Sequence, residues 1–153
     1  MNTHYIAGLI DGEGWIGIRK IGSGSDKRRH WARDYWYNPS IKVSQSEKGK
    51  VLIDLLHEEF GGFISKRGRA GITGNSADAY EWSITGVKRI LPILKRLRNK
   101  LILKQKQADV VIDFCENKEK RYMPRTSDKE FARREKLYQS IRELNKKGPA
   151  ETK

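Results

Sequence analysis

Ile6-Ala7-Gly8-Leu9-Ile10-Asp11-Gly12-Glu13-Gly14, close to the start of the chain, is the stretch on which the architecture turns. Ile6, Leu9 and Ile10 recur at helical spacing, so residues 3 to 12 read as a short helix that Gly14 ends. Gly8 and Gly12 lie four apart, on one helical face, where the lack of side chains lets a second helix come close. Glu13 stands just beyond that face. If the second helix belongs to another copy of the chain, a two-fold axis brings two Glu13 carboxylates together, and like charges so close invite divalent cations. Phosphodiester hydrolysis is commonly run by such ions, which activate water and stabilise the attacking and leaving oxygens.

Working outward, Trp15 to Ile21 and Tyr35 to Ser46 read as strands, with the flexible, basic stretch GSGSDKRRHWAR as the loop between them. Ser46 is the expected N-cap of a helix with Leu52, Leu55, Leu56 and Phe60 as its apolar stripe, stopped by Gly61 and Gly62. Phe63 to Arg67 and Asp78 to Thr85 form a second strand pair across the glycine-rich GRAGITGN. Val87, Ile90, Leu91, Leu94 and Leu97 restore the helical period, although Pro92 obscures where that helix begins. Further helices are expected from Lys104 to Glu116 and from Ser127, where Ser127 and Glu130 have capping-box spacing ahead of Phe131, Tyr138, Ile141 and Leu144. The order of elements predicts an α+β fold. A single domain over residues 1–153 is expected, with a core of about 3–116 and a C-terminal helical extension of about 117–147.

The 153 residues carry 32 Lys and Arg against 19 Asp and Glu, a formal charge of +13 that a polyanion would relieve. Residues 19–50 hold nine Lys or Arg and three acids, and residues 88–106 hold eight and no acid. Trp31, Tyr35, Trp36 and Tyr37 interleave with the first cluster, and strands of this kind can lie in a major groove. Nucleic acid is therefore the expected partner. No apolar run approaches a membrane span, and no signal peptide is evident, so a soluble, intracellular protein is expected, with no membrane and no small-molecule substrate. The lone Cys115 is expected as a buried structural thiol, and His4, His30 and His57 lack metal-ligand spacing. Trp15, Tyr80 and Trp82 are expected in the core.

The nine residues from Ile6 to Gly14 closely resemble the LAGLIDADG signature of homing endonucleases, matching through Ala7-Gly8-Leu9-Ile10-Asp11 and the closing Gly-acid-Gly. Val43-Ser44-Gln45, the element order and Leu103-Lys104-Gln105-Lys106-Gln107-Ala108 extend the resemblance over roughly residues 3–116. One motif per chain resembles the homodimeric branch. The resemblance implies an αββαββα core whose four-stranded antiparallel saddle covers DNA, with extra C-terminal helices. It implies site-specific cleavage of both strands of a long pseudo-palindromic site, across the minor groove and leaving short 3′ overhangs. Mg²⁺ is the implied cofactor, with Mn²⁺ substituting and Ca²⁺ supporting binding without efficient cleavage.

By the same resemblance, Glu13 and the Gly12 carbonyl bind metal, while Gln45 and Lys104 organise solvent around the nucleophile. Ala7, Gly8, Ile10, Asp11 and Gly12 are the expected dimer interface; Asp11, an anion near a helix C-terminus, is left out of the metal site. Expected DNA contacts are Arg19, Lys27, Arg28, Arg29, Arg33, Tyr35, Tyr37, Lys42, Lys48, Lys50, Arg67 and Arg69. Three departures stand out: Ile6 for the usual Leu, Glu13 for Asp, and Gly49 where a basic residue is common, between Lys48 and Lys50. The competing reading is a non-cleaving nucleic-acid-binding protein of the same fold, an RNA-splicing maturase or a regulator. Compartment is read only as a prokaryotic cytoplasm or an organelle.

Overall fold

The structure, a computed structural model, describes residues 2–22, 34–67, 78–119 and 126–146. Most of the first hairpin loop and the GRAGITGN stretch lie outside these residues, and with them Lys27, Arg28, Arg29, Arg33 and Arg69. The elements are α1 (Thr3–Glu13), β1 (Gly14–Gly22), β2 (Tyr35–Ser46), α2 (Lys50–Phe60), β3 (Phe63–Arg67), β4 (Ala79–Thr85), α3 (Val87–Leu97), α4 (Gln105–Glu116) and α5 (Asp128–Leu144). The four strands form one antiparallel sheet in the order β1-β2-β4-β3.

Alternation along the strands sorts the sheet into two faces. Ile16, Ile18, Ile41, Val43, Trp82 and Ile84 are buried on one, under the helices. Trp82 is fully buried, and its indole N–H is satisfied by the Gly61 carbonyl at 2.7 Å. That carbonyl is delivered by a turn in which Gly61 and Gly62 have φ of +69° and +94°, which L side chains rarely adopt.

Helix α2 differs from expectation in its phase. Ser46 caps no amide with its side chain; a 3-10 turn, Glu47–Gly49, intervenes before α2. The buried stripe consequently falls on Ile53 and Leu56, and Leu55 faces solvent. Pro92 lies inside α3, on its exposed side, where the carbonyl left without a donor can be solvated.

Ser127 caps α5 by accepting from the Glu130 amide, but the Glu130 carboxylate turns to Arg133 and Arg134 instead of back to the cap. Leu144, expected in the stripe, is exposed, while Ile141 is buried. Arg133 reaches the last-turn carbonyls of α4, Asp113 and Phe114, and Asn145 donates to the Ile16 carbonyl at 3.0 Å, covering part of the β1 edge. Cys115 is buried, which pushes its thiol up to about 12 and keeps it protonated at neutral pH.

The contact of α5 with the sheet has a polar centre. Tyr37 packs against Phe131 and Tyr138, its hydroxyl donates to Glu135, and Lys20 pairs with the same carboxylate at 2.9 Å. Burial alone would raise Glu135, but the hydrogen bonds from Tyr37, Lys20 and Gln139 outweigh it and hold the carboxyl at about 2. Burial and the same bond push Tyr37 up to about 12. Because the folded carboxyl titrates below its unfolded value, the stabilisation is present above that value and is lost as pH falls towards about 2. Glu135→Gln should therefore lower the Tm at neutral pH, with the gap from wild type closing between about pH 5 and pH 2 in a thermal-melt series.

Candidate functional site

The motif's three glycines do different work. A Cβ at Gly14 would lie 2.6 Å from the Ile10 carbonyl oxygen, so the chain's own turn into β1 demands glycine there. Cβ atoms at Gly8 and Gly12 would meet nothing within 4 Å. Both glycines are exposed, and with Tyr5 and half-buried Leu9 they form one uncovered stripe on α1. Ala7, Ile10 and Asp11, expected at a dimer interface, are instead buried against the chain's own core, because they occupy the opposite side of the helix. Tyr5 and Leu9 take their place on the open side. The spacing from Gly8 and Gly12 already carried that signal.

Asp11 is tied to the far end of the core. Its carboxylate accepts from the backbone amides of Ile102 at 2.6 Å and Lys104 at 2.9 Å, and its carbonyl accepts from the Lys104 ammonium. These contacts set Lys104 against Asp11 in the last turn of α1. Glu13 itself is exposed, and its carboxylate has no partner among the described residues. The Gly12 carbonyl belongs to a helical turn whose C=O groups lack intrahelical donors. Gln45 lies two residues beyond Val43, the register partner of Gly14, at the same end of the sheet. A Cβ at Gly49 would come within 2.6 Å of the Gln45 amide oxygen, so glycine there leaves room for the Gln45 side chain. Lys50 pairs with Asp54 at 2.6 Å and stands 5.5 Å from the centre of the Tyr80 ring; Lys48 is exposed.

The second face of the sheet carries Trp15, Arg19, Trp36, Asn38, Lys42, Ser44, Phe63, Ser65, Arg67, Glu81 and Ser83. An open depression of about 440 Å³ in it is lined by Glu13, Trp15, Arg19, Lys42, Ser44, Arg67 and Glu81. The expected candidates Arg19, Lys42 and Arg67 are therefore brought to the same place as Glu13, whereas Gln45 and Lys104 do not line it. Trp15 is not a core residue: its ring lies across Gly17, where a Cβ would be 2.4 Å away. Tyr35 and Tyr37, expected on nucleic acid, share the helix side with buried Ile41 and Val43, and Tyr37 is sealed beneath α5. Trp36, which is 48% exposed, is the aromatic residue of that run on the open face.

Donor chemistry at the tip of α1 suits a hard cation. One carboxylate and one carbonyl are oxygen ligands of the kind Mg²⁺ takes together with water and substrate phosphates. Among the described residues no cluster of three or more His, Cys, Asp or Glu could hold a metal within one chain. Nor, among those residues, is any helix long and apolar enough to cross a membrane.

The sequence pattern of the family described as LAGLIDADG endonuclease matches residues 6–117. The chain belongs to that family. Its pattern stops at the end of α4, leaving α5 outside the match. A crystal structure of the homing endonuclease I-CvuI in complex with the I-CreI target superposes with a TM-score of 0.74 at 20% identity, over 97% of this chain and 85% of that one. The LAGLIDADG homing endonuclease I-SmaMI bound to cleaved DNA gives 0.70 at 15% identity, and the LAGLIDADG meganuclease I-AabMI bound to uncleaved DNA gives 0.65 at 16%. This chain covers 94% and 91% of itself in those matches but spans only 45% and 46% of the two partners. At such identities the likeness establishes the fold, the α+β fold of LAGLIDADG homing endonucleases. No curated protein matches the chain significantly.

Proposed function

We propose that this LAGLIDADG chain is a site-specific DNA endonuclease that works as a homodimer with Mg²⁺, with Mn²⁺ able to replace it and Ca²⁺ supporting binding only. The observation that carries the reading is the uncovered glycine stripe of α1, which ends in an exposed carboxylate, unpartnered among the described residues, at the rim of a cationic sheet face. A second copy against Gly8 and Gly12 would set two Glu13 carboxylates near one axis, one for each DNA strand.

In this reading Glu13 and the Gly12 carbonyl hold the ion, which when bound supplies a Lewis acid and a more acidic water. The Lys104 ammonium, anchored at Asp11, places positive charge beside the reacting phosphate, and Gln45 orients solvent there. Lys48 is the better candidate than Lys50 for the missing basic residue, since Lys50 is engaged with Asp54. The 12-residue β2 is about 40 Å long at ~3.3 Å per residue, enough to follow about a dozen base pairs. Arg19, Lys42 and Arg67 would face them, and Lys27, Arg28, Arg29, Arg33 and Arg69 would extend the contact from the loops.

The direct test joins the genomic sequences that flank the reading frame, the uninterrupted allele, and incubates that duplex with the purified chain. Cleavage of both strands in Mg²⁺ supports the reading; binding without cleavage supports the maturase or regulator instead. Salt gives a separate prediction. Two chains carry 2 × 13 = +26, so affinity should fall by about 10³-fold or more between ~50 and ~200 mM salt. Alanine at Arg28, Arg29 and Arg33 should flatten the slope by up to ~0.9 for each phosphate that is no longer neutralised, read by fluorescence anisotropy.

A further inference from the structure

We infer that Glu81 is a specificity-determining positioning residue, which locks Arg67 and Lys42 into a fixed set of donors selecting guanine in the inner part of each half-site. The inference rests on the DNA-binding reading above and adds the identity of a base to it.

Glu81 is an anomaly on a face meant for a polyanion. It is nine-tenths buried in the floor of the depression, whereas the Arg67 side chain that pairs with it is 62% exposed. A carboxylate facing phosphates would repel them, and an isolated surface ion pair contributes little to stability. Its geometry points to another use. Oε1 accepts from Lys42 Nζ at 3.3 Å and Arg67 Nη2 at 3.0 Å, and Oε2 accepts from Ser44 Oγ at 3.4 Å and lies 2.9 Å from Arg67 Nη2 as an ion pair. Both oxygens thus have donors within 3.4 Å, and Glu81 lies nine-tenths buried beneath them, so the groups presented to a base edge are the donors of Arg67 and Lys42.

The cations, by contrast, keep capacity. Both contacts of Arg67 come from one nitrogen, Nη2, leaving at least three of the five guanidinium N–H groups, and Lys42 keeps two of its three. The donors are presented from the sheet face and held there, where a free Arg would swing to the nearest phosphate. A set of donors without a free acceptor matches guanine, which offers O6 and N7 in the major groove; adenine and cytosine each present an amino donor there.

Register places the contact within the half-site. Glu81 pairs with Ser44, one residue beyond the partner of Gly14, and Glu13 lines the same depression. The selected guanine therefore lies towards the end of the half-site where Glu13 sits, inside the positions reached by the distal end of the β1–β2 hairpin.

The test selects from a pool of inverted-repeat duplexes with randomised half-sites, in Ca²⁺, using wild type, Glu81→Gln and Arg67→Ala, with thermal melts to confirm folding. Wild type should enrich guanine at one or two inner positions of each half-site. Both variants should relax that preference by about 10-fold or more at the same positions while keeping the preferences elsewhere. Arg67 is exposed, so its alanine variant remains informative if Glu81→Gln fails to fold. A uniform change in affinity with the guanine preference intact in Arg67→Ala, or a wild type that selects other bases at the inner positions, overturns the inference alone. A wild type that enriches no sequence overturns the DNA-binding reading and this inference with it.

Discussion

Glu13→Gln is expected to bind the target duplex and cut it at least about 10³-fold more slowly than wild type, a loss of about 4 kcal/mol of transition-state stabilisation. The substitution keeps the size of the side chain and removes its charge. Among the described residues nothing else pairs with that charge, and Glu13 is exposed at the end of α1. Fold and sheet face should be untouched. What disappears is the anionic oxygen of a sparse ligand set, in which only the Gly12 carbonyl stands beside it. Affinity for DNA should hold or rise, because two anions facing phosphates are removed from the dimer. Single-turnover cleavage in Mg²⁺ beside a binding titration in Ca²⁺ separates the two effects, and a near wild-type rate would remove Glu13 from the chemistry.

Gly8→Leu should abolish dimerisation and, with it, double-strand cleavage, while leaving the single chain at least as stable as before. The two halves of this expectation have different sources. A Cβ at Gly8 meets nothing within 4 Å, so the new side chain has room in one chain, and Leu favours a helix over Gly by up to ~1 kcal/mol. In a two-fold pair the same side chain is inserted twice into a helix contact that needs close backbones. Overpacking costs about 1–3 kcal/mol at each site, so dimer affinity should fall by tens to about 10⁴-fold. Sedimentation should show a folded monomer where the wild type is a dimer. An unchanged dimer would mean that the glycine stripe is not the interface.

Helix α1 was legible in the sequence because its apolar period and its glycines fall in nine consecutive residues. The division of roles, Gly8 and Gly12 on an open face and Gly14 at the helix end, was legible too; the physical reason at Gly14 was not, since the clash there comes from the backbone of Ile10 in the folded turn. The two faces of β2 were legible in principle: Ile41 and Val43 are buried, so period two sends Tyr35 and Tyr37 to the same side and Trp36 to the other. Ranking these residues by aromatic and basic character instead of by parity grouped Tyr35 and the buried Tyr37 with the cations of the open face.

Long-range partners were the other limit. Asp11 could be set aside from the metal site by its place at a helix C-terminus, but its bonds to the amides of Ile102 and Lys104 join parts of the chain about ninety positions apart. They also hold Lys104 against the last turn of α1. Glu81 could not be found at all in the sequence, because the residues that give it meaning come from β2 and β3 and meet only in the sheet register. Helix α2 was correct in kind and wrong in phase, since a 3-10 turn delays its start.

The most direct test of a two-chain, metal-dependent nuclease is the conversion of supercoiled plasmid carrying the joined flanking sequence, followed in Mg²⁺ and in Ca²⁺ over a series of chain concentrations. Two half-sites of one homodimer predict linear DNA in Mg²⁺ and none in Ca²⁺, with a rate that follows the square of chain concentration while the dimer is dissociated. Intact plasmid in Mg²⁺ at concentrations where the protein binds the site, or nicking that is first order in a chain shown to be monomeric, would contradict it.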